Sequence, residues 1–548
     1  MADLELLVVV LASVLLMTWT ARTLHLSEPL LLLAGGVLLG LVPRFDHIHV
    51  APDVILMLVL PALLYWESLT TSTREVRANF RSIAMSATGL VLVTALAVAA
   101  VAHALGYAWP IAFVLGAVLA PTDASAVGAS IGGMPRRIVT LLRTESLLND
   151  GTAFVLLAVG LEALTTADPF SFTHTAIRFV ESYLGGIVIG ALVALVLIRV
   201  RRHLTDRLLH SGLSVTTPFL AYLPAAATHV SGTLAVVVCG LVTSRIGPKI
   251  IGSGERIQAT SFWEVTTFLL NGALFVLVGM QTPAAMRALT SVSLLQAIAI
   301  SAAVSVTVIA ARVAWFYTVP YLFRLIDRRA RQREARIGAR QRLPLAWAGI
   351  RGAISLAAAL TIPVTTADGR PVAQRDAIVF ITVVVIVVTL VAVGPTLPAV
   401  VRRARFADDP TEADEEDLAV RHIAAVALAE MPALADRLQV PADATDRVAR
   451  DLAKAATALD ATDDEAADRG YRREDAVHSF QEAILGVKRA ALIDLRRRRR
   501  IDDDVLRRVQ NYLDLEEQSL RKAVLLQRHP AATAQAAGDQ TSDRVSAD

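Results

Sequence analysis

The sequence predicts an all-α polytopic membrane protein of about 13 transmembrane helices, followed by a helical tail outside the membrane. Of its 548 residues, 54% are hydrophobic, and the mean hydropathy is +0.53, more apolar than is usual for a soluble domain. Segments of about 20 residues with few charges, long enough to span a bilayer, recur from Leu4 to Val401. The remaining residues are charged and follow a helical period. A transmembrane β-barrel would show alternating segments of about 10 residues, and we find none.

Thirteen spans are predicted in the apolar region. The chain begins with MADLELLVVV, which carries acids where a signal peptide carries bases, so we interpret its start as the first membrane helix. Spans 1–6 and 8–13 are paired as two inverted repeats, which makes span 12 the counterpart of span 5. The predicted spans are residues 4–20, 25–43, 52–70, 82–105, 109–130, 141–164, 176–199, 213–229, 231–247, 260–280, 290–322, 343–365 and 376–401.

The basic residues between these spans alternate in number from loop to loop. If the C-terminal tail is cytoplasmic, the cytoplasmic loops hold about 22 Lys and Arg residues and the outer loops about 5. Cytoplasmic loops of membrane proteins carry such an excess. The alternation therefore predicts a multi-pass protein of the plasma (inner) membrane, with its N-terminus outside and its C-terminus in the cytoplasm.

Asn149, Asp150 and Gly151 form a sequence that often marks a turn, but we interpret them as part of one membrane helix. A turn would leave the halves 141–148 and 152–164 only about 12 Å and about 20 Å long. Neither half would cross about 30 Å of hydrocarbon. A continuous helix instead places Asp150 about 14 Å deep, near the bilayer midplane.

Four polar side chains then share one face of the sixth span. Spacing of four residues pairs Glu145 with Asn149 and Ser146 with Asp150. Charged groups at this depth cost at least about 2.5 kcal/mol each on insertion scales. Their presence in an otherwise apolar helix indicates a functional site.

The fifth span, FVLGAVLAPTDASAVGAS, is interrupted at its middle by Pro121, which has no backbone donor. Thr122 and Asp123 follow it. Carbonyl groups left unpaired at this depth are tolerated where the backbone lines a cavity or finds another donor. Because carbonyl, hydroxyl and carboxylate oxygens suit a hard cation, we predict a cation site here. A plain proline kink with a neutral Asp123 is the alternative.

The twelfth span, LPLAWAGIRGAISLAAAL, places Arg351 between Gly349 and Gly352. Interrupted helices at corresponding positions of two repeats are typical of a transport site at the midplane. A second cation, Arg312, lies inside the eleventh span and needs an acidic partner, for which Glu145 is the natural candidate. Arg351 either faces the site or acts as a structural counter-ion, and we leave open which of the two arginines holds Glu145.

The tail is predicted to follow a membrane domain of residues 1–405. An acidic linker covers residues 406–418 and a helical cytoplasmic regulatory domain covers residues 419–528, because helix-period segments are separated there by breakers such as Pro441 and Gly470. The polar end, residues 529–548, is predicted to be disordered.

Several classes of function are disfavoured. The formal net charge is +3, which gives no reason to expect nucleic acid as a partner. Cys239 is the single cysteine, so no disulfide framework is expected. We find no phosphate-binding loop, no metal-spaced His/Cys cluster and no nucleophile elbow. We therefore predict that the protein is not an enzyme and needs no cofactor.

Five stretches identify a resemblance. The chain resembles the cation:proton antiporter-1 family, the electroneutral Na⁺/H⁺ exchangers of bacteria and animals. That resemblance implies a thirteen-helix antiporter fold with two crossed broken helices, and a homodimer. The stretches are APTDASAVGAS (120–130), RTESLLNDGTAFVL (143–156), VSGTLAVVVCGLVTSR (230–245), FWEVTTFLLNGALFVLVG (262–279) and WAGIRGAISLAAAL (347–360).

The resemblance also implies a set of ion-site residues. An Asn-Asp pair at this place, where electrogenic relatives carry Asp-Asp, is linked by the resemblance to one-for-one exchange. The family's positions fall on Asp150 for the ion-binding aspartate, Asn149 for the asparagine before it, Thr122 and Asp123 for the broken helix, and Ser146 and Glu145 for the sixth helix.

The third span departs from the family pattern. Many members carry Leu-Pro-Pro-Leu-Leu-Phe-Glu, whereas this chain reads LPALLYWE, with Trp66 at the place of the glutamate and Glu67 one residue later. One residue is about 100° around a helix. We therefore expect Glu67 to lie away from the ion path.

The expected function is electroneutral exchange of Na⁺ for H⁺ at Asp150, which binds either a proton or a cation. Thr122, Ser146 and carbonyls near Pro121 would complete the oxygen shell around Na⁺, K⁺ or Li⁺. Exchange of K⁺ for H⁺ is the nearest alternative, because oxygen ligands bind either ion. A solute symporter, or a channel with a regulatory tail, is a further alternative.

Overall fold

The chain forms two compact units. One contains Met1–Ile250 and Ala259–Asp408, and the other contains Ile251–Gln258 and Asp409–Asp548. The predicted disordered end and much of the loop predicted between spans 11 and 12 lie outside the described residues. The computed structural model describes residues 2–45, 55–124, 134–165, 172–326, 338–365, 371–372, 374–406, 411–457 and 471–528.

The first unit is helical, and each of the thirteen predicted spans overlaps a helix. Within the described ranges, the extended pairing amounts to one isolated bridge between Thr365 and Pro371. The helices are α1 (Ala2–Leu24), α2 (Glu28–Gly40), α3 (Leu60–Thr70), α4 (Thr73–Ala78), α5 (Phe80–Ala104), α6 (Trp109–Leu119), α7 (Arg136–Thr165), α8 (Phe172–Arg201), α9 (Arg207–Ala227), α10 (Gly232–Ile246), α11 (Ser253–Ala288), α12 (Leu294–Ile326), α13 (Ala339–Trp347), α14 (Ala353–Leu360), α15 (Arg375–Val393) and α16 (Leu397–Ala404).

Seven of the described helices are long and apolar enough to cross a membrane: α1, α5, α7, α8, α11, α12 and α15. Helices α2, α3 and α6 are apolar but shorter, and the predicted span 12 consists of two short helices. The all-helical membrane fold is confirmed. Thirteen crossings and the inverted repeats stay predictions.

Helix α7 runs without interruption through Asn149, Asp150 and Gly151 for 30 residues. A β-carbon added to Gly151 would have its nearest neighbours at 3.6 Å and 3.8 Å, so nothing at this position requires glycine. The prediction of one continuous helix is confirmed. The same helix begins at Arg136, five residues before the predicted start of the sixth span at residue 141.

Both predicted interruptions are present. Helix α6 ends at Leu119, two residues before Pro121, because a proline cannot donate to the preceding turn. Helix α13 ends at Trp347, and α14 begins at Ala353 after an extended Gly352. Each span thus stops partway across the apolar layer and leaves backbone groups that need other partners.

Helices α2 and α11 are in close backbone contact at three glycines, Gly36, Gly40 and Gly279. A side chain on Gly36 would overlap the carbonyl oxygen of Val276, and one on Gly279 would overlap the carbonyl oxygen of Leu33. Small residues allow such close approach of membrane helices and increase their van der Waals contact. The crossing therefore fixes α2 against the half of α11 that reaches Ala288.

The second unit contains α17 (Thr411–Leu438), α18 (Ala442–Thr457), α19 (Tyr471–Arg497) and α20 (Asp503–Arg528). The helix-period segments predicted within residues 419–528 are helical where the structure describes them. Helix α17, however, begins inside residues 406–418, which we had predicted as an acidic linker. Its Glu415 is buried and accepts a hydrogen bond from the backbone N–H of Asp502 at 3.0 Å. The acidic segment therefore belongs to the packed helix from Thr411 onward, since this contact satisfies one of its carboxylates.

A buried carboxylate holds the first turns of α11 in this second unit. Asp514 is inaccessible to solvent and accepts hydrogen bonds from Arg256 at 2.5 Å and 3.0 Å and from Arg489 at 2.8 Å. Glu517 accepts from Ser253 at 2.8 Å and from Arg489 at 2.5 Å. Burial alone lowers the pKa of Arg489, but the hydrogen bonds and charges of Glu517 and Asp514 outweigh it and raise that pKa. We call this group the Asp514 cluster.

Substitution of Gly36 by valine should destabilise the membrane unit. The added side chain would force α2 away from α11, at a cost of about 1–3 kcal/mol or more. We expect a clearly lower melting temperature in detergent, measured by fluorescence-detected gel filtration. Gly151→Ala is the matched control, because its methyl group has room. Equal melting temperatures for Gly36→Val and the unmodified protein would contradict the backbone contact.

Removal of the Asp514 carboxylate should loosen the second unit. In Asp514→Ala, two arginines lose a buried partner, at a cost of about 3 kcal/mol. Hydrogen exchange should accelerate along α20. Glu516→Ala is the control, since Glu516 is 45% exposed in its pair with Lys488 and such pairs contribute about 1 kcal/mol or less. Similar exchange in both variants would argue against the cluster.

Candidate ion-binding site

The two interrupted spans meet at their breaks. The backbone N–H of Asp123 donates to the carbonyl oxygen of Ile350 at 2.9 Å. A side chain on Gly352 would overlap the Asp123 carboxylate, so glycine is needed for this close approach. Gly352 also precedes α14, whose first N–H groups carry partial positive charge. The Asp123 carboxylate therefore lies where a helix N-terminus favours a negative charge.

Arg351 satisfies the carbonyl groups released at the end of α6. Its guanidinium donates to the carbonyl oxygens of Ala120 and Pro121, both at 2.6 Å. The side chain is 1% exposed. A helix C-terminus carries partial negative charge, so the arginine compensates the dipole as well as the unpaired oxygens. Of the two roles considered for Arg351, this geometry fits the structural one.

Arg312 performs the same task for α13 and also holds Glu145. Its guanidinium donates to Glu145 at 2.6 Å and to the carbonyl oxygen of Leu345 at 3.0 Å. Both charged side chains are buried, and the ring of Phe316 stacks at 5.1 Å from the guanidinium carbon. Gly349 leaves room for the Arg312 side chain. Glu145 is thus held by Arg312 and not by Arg351.

Ser146 and Asn149 brace the unwound segment after α6. The Ser146 hydroxyl donates to the carbonyl oxygen of Thr122 at 2.8 Å and accepts from the N–H of Ala124 at 3.0 Å. The Asn149 side-chain amide donates to the Thr122 hydroxyl oxygen at 2.8 Å. Both hydroxyl oxygens keep a lone pair, so their present contacts position Thr122 without excluding a cation.

Asp150 differs from Glu145, the other buried acid on this helix. It is 5% exposed, and its carboxylate makes no hydrogen bond or ion pair with any residue in the described ranges. It faces a cavity of about 400 Å³ together with Thr122, Asp123 and Ser146. An unpaired buried carboxylate can lower its free energy by binding a proton or a cation.

The predicted site residues divide into two groups. Those that line the cavity are Pro121, Thr122, Asp123, Ser146, Asp150 and Gly352. Those that support the lining from behind through the contacts above are Glu145, Asn149, Arg312, Gly349 and Arg351.

The cavity also has lining residues that the sequence analysis did not assign to it. Glu67 lines it, contrary to our expectation from the one-residue shift in the third span. Trp66, which stands at the place of the family's glutamate, lines the cavity as well. Helix α7 contributes Arg143, and α11 contributes Glu264, Thr267 and Asn271. Their spacings of three and four residues were the available signal.

Two interrupted helices that meet at their breaks beside a buried carboxylate are typical of secondary ion transporters. The family model described as "Sodium/hydrogen exchanger, transmembrane" matches residues 10–403. An uncharacterised Na⁺/H⁺ exchanger of Mycobacterium tuberculosis is 42% identical over 518 residues, covering 94% of this chain and 95% of that protein. A sodium, potassium, lithium and rubidium/H⁺ antiporter of Bacillus subtilis is 31% identical over 387 residues, covering 68% of this chain and 57% of that protein.

A solved structure supports the fold. The sodium proton antiporter MjNhaP1 from Methanocaldococcus jannaschii, at pH 8, aligns with a TM-score of 0.59 at 17% identity, covering 74% of this chain and 99% of that one. The chain belongs to the sodium/hydrogen exchanger family. It is a multi-pass membrane protein and a cation/proton antiporter, a transporter and not an enzyme.

Breaking the Glu145–Arg312 pair should destabilise the membrane unit strongly. Arg312→Met would leave Glu145 buried and unpaired, and loss of one partner of a buried pair costs about 3–5 kcal/mol. We expect a large fall in melting temperature in detergent. The double variant Glu145→Leu with Arg312→Met should recover part of that loss. A single variant as stable as the unmodified protein would exclude this bracing role.

Proposed function

We propose that the protein exchanges Na⁺ for H⁺ by competition of the two ions for Asp150. One observation carries the proposal: Asp150 is the buried carboxylate on α7 that faces the cavity and has no partner among the described residues. Glu145, five residues earlier, is neutralised by Arg312. Membership of the sodium/hydrogen exchanger family supports the choice of ions.

The competition follows from the chemistry of one carboxylate in a poorly hydrated place. A proton or a cation neutralises it, and the presence of one ion weakens binding of the other. Oxygen atoms of Thr122 and Ser146 and carbonyl groups near Pro121 would complete the shell of a hard cation. The substrate Na⁺ would therefore be held by Asp150, Thr122 and Ser146.

Electroneutral exchange is the stoichiometry we propose. Asn149 is uncharged, and it is engaged with Thr122. If Asp150 alone changes its occupant, each turnover moves one positive charge in each direction. Flux through reconstituted protein should then be independent of an imposed membrane potential.

The access pathway is proposed from the direction of the helices. We take the protein to lie in the plasma membrane with its C-terminus in the cytoplasm. The cytoplasmic ends of three helices then carry Thr70, Arg143 and Glu264. The cavity that they line with Asp150 would then open inward. Movement of the interrupted helices relative to α3 and α11 would expose the site to the other side. A homodimer in the lipid bilayer is proposed from the resemblance.

K⁺ is the second candidate cation. The name of the Bacillus subtilis relative includes potassium, lithium and rubidium as well as sodium, and oxygen ligands bind all of these ions. Transport assays with each cation in turn would rank them.

Asp150→Asn should abolish exchange and leave the fold intact, because the amide cannot take up a proton or balance a cation. The measurement is recovery of a quenched pH dye in proteoliposomes after addition of Na⁺, K⁺ or Li⁺. Glu162→Gln is the matched control, since Glu162 is an exposed acid on the same helix. Exchange by folded Asp150→Asn at the rate of the unmodified protein would refute the proposal.

A further inference from the structure

Arg143 is a basic side chain in a cavity that must admit cations. It lies on α7, seven residues before Asp150 and three before Ser146, so that all three share one face of the helix. Seven residues correspond to about 10.5 Å along the helix axis. Its side chain is exposed, and among the described lining residues it is the one arginine or lysine.

The positive charge of Arg143 is not compensated by a hydrogen-bonded partner, unlike the charges of Arg312 and Arg351. Arg312 is neutralised by Glu145, and Arg351 is engaged with two backbone carbonyls. Within the described part of the chain, Arg143 makes no hydrogen bond or ion pair. Its positive charge acts on Glu67 in the same cavity and on any ion that enters.

The remaining charged groups lining the cavity are acidic: Glu67, Asp123, Asp150 and Glu264. A concave surface lined by one sign of charge raises the local concentration of the opposite ion. Glu264 is exposed, whereas Asp150 is buried, so an entering cation meets Glu264 and Arg143 before it reaches Asp150. Glu264 attracts that cation and Arg143 repels it.

We propose that Arg143 is a tethered cation that competes with the transported cation for the acidic cavity, and so sets the cation concentration at which transport is half-maximal. This inference rests on the proposed function and deepens it. While the cavity is empty, the flexible Arg143 side chain holds its guanidinium near the carboxylates and is attracted to them. An entering cation is repelled by that positive charge. Arg143 thus sets the affinity of the carrier for the transported cation.

The size of the effect follows from Coulomb's law. One charge at about 10 Å, with an effective dielectric constant between about 20 and about 80, changes an ion's equilibrium by a factor of about 2 to about 15. The influence on KM should exceed that on kcat, because the charge acts on entry and binding. It should also shrink at high ionic strength, since the screening length is about 8 Å at 0.15 M salt.

The test is dye dequenching in proteoliposomes, with Na⁺ titrated at an alkaline pH where KM no longer changes with pH, so that proton competition is constant. Arg143→Gln should lower KM for Na⁺ by about two- to fifteen-fold, with kcat nearly unchanged. Arg143→Lys, which keeps the charge, should retain the KM of the unmodified protein. Glu264→Gln should shift KM in the opposite direction. Choline chloride at about 0.15 M should reduce the difference between Arg143→Gln and the unmodified protein.

Three results would overturn the proposal. They are an unchanged KM in Arg143→Gln, an equal change in Arg143→Lys, and loss of transport in folded Arg143→Gln. The first shows no electrostatic competition, the second a packing effect, and the third a requirement for the arginine. Each needs an active unmodified protein. Inactivity of that protein with every cation would instead refute the proposed function.

Discussion

Interrupting a helix in the middle of an apolar layer releases backbone carbonyl groups that neither water nor the helix can satisfy. The arrangement of the site depends on how this chain meets that constraint. Arg351 donates to the carbonyls released at the end of α6, and Arg312 donates to one near the end of α13. Each guanidinium offers several donors in a fixed plane, which suits it to two acceptors at once. The positively charged side chains of these two arginines are thereby fixed behind the site, and the acidic side chains are distributed around them.

The acidic groups consequently have different environments although they lie close together in the fold. Glu145 is paired with Arg312, and Asp123 lies at the N-terminal end of α14. Asp150 has neither type of compensation within the described residues and faces the cavity. Environment, and not residue type, therefore distinguishes the paired Glu145 from Asp150, the acid at which we propose the exchange. The same separation applies to the basic groups, because Arg143 is exposed to the cavity while the other two arginines are buried.

Much of the fold could be predicted, because the bilayer imposes a length requirement that a sequence displays directly. The continuity of α7 through Asn149 and Asp150 followed from that length, and both interruptions followed from Pro121 and the two glycines around Arg351. The helical start of α17 was missed because repeated acids resemble a solvated linker. The helix nevertheless extends into this segment, where the buried Glu415 accepts a hydrogen bond from Asp502.

The partners within the site were harder to predict. Choosing between Arg312 and Arg351 for Glu145 requires the rotation of α12 relative to α7, which no spacing within one helix contains. Glu67 lines the cavity beside Trp66, because the face that α3 turns to the cavity is set by its packing against other helices and not by its own sequence. Residues that line a cavity from several helices, such as Glu264, become a group only when the helices are assembled.

The crossing of α2 and α11 at Gly36 and Gly279 has a mechanical consequence. Where side chains separate two helices, rotamer changes allow small sliding movements, but two backbones in contact have nothing between them that can yield. We therefore expect these helices to move together. Helix α11 also carries Thr267 and Asn271 on the cavity wall, so α2 stiffens that wall although none of its described residues lines the cavity.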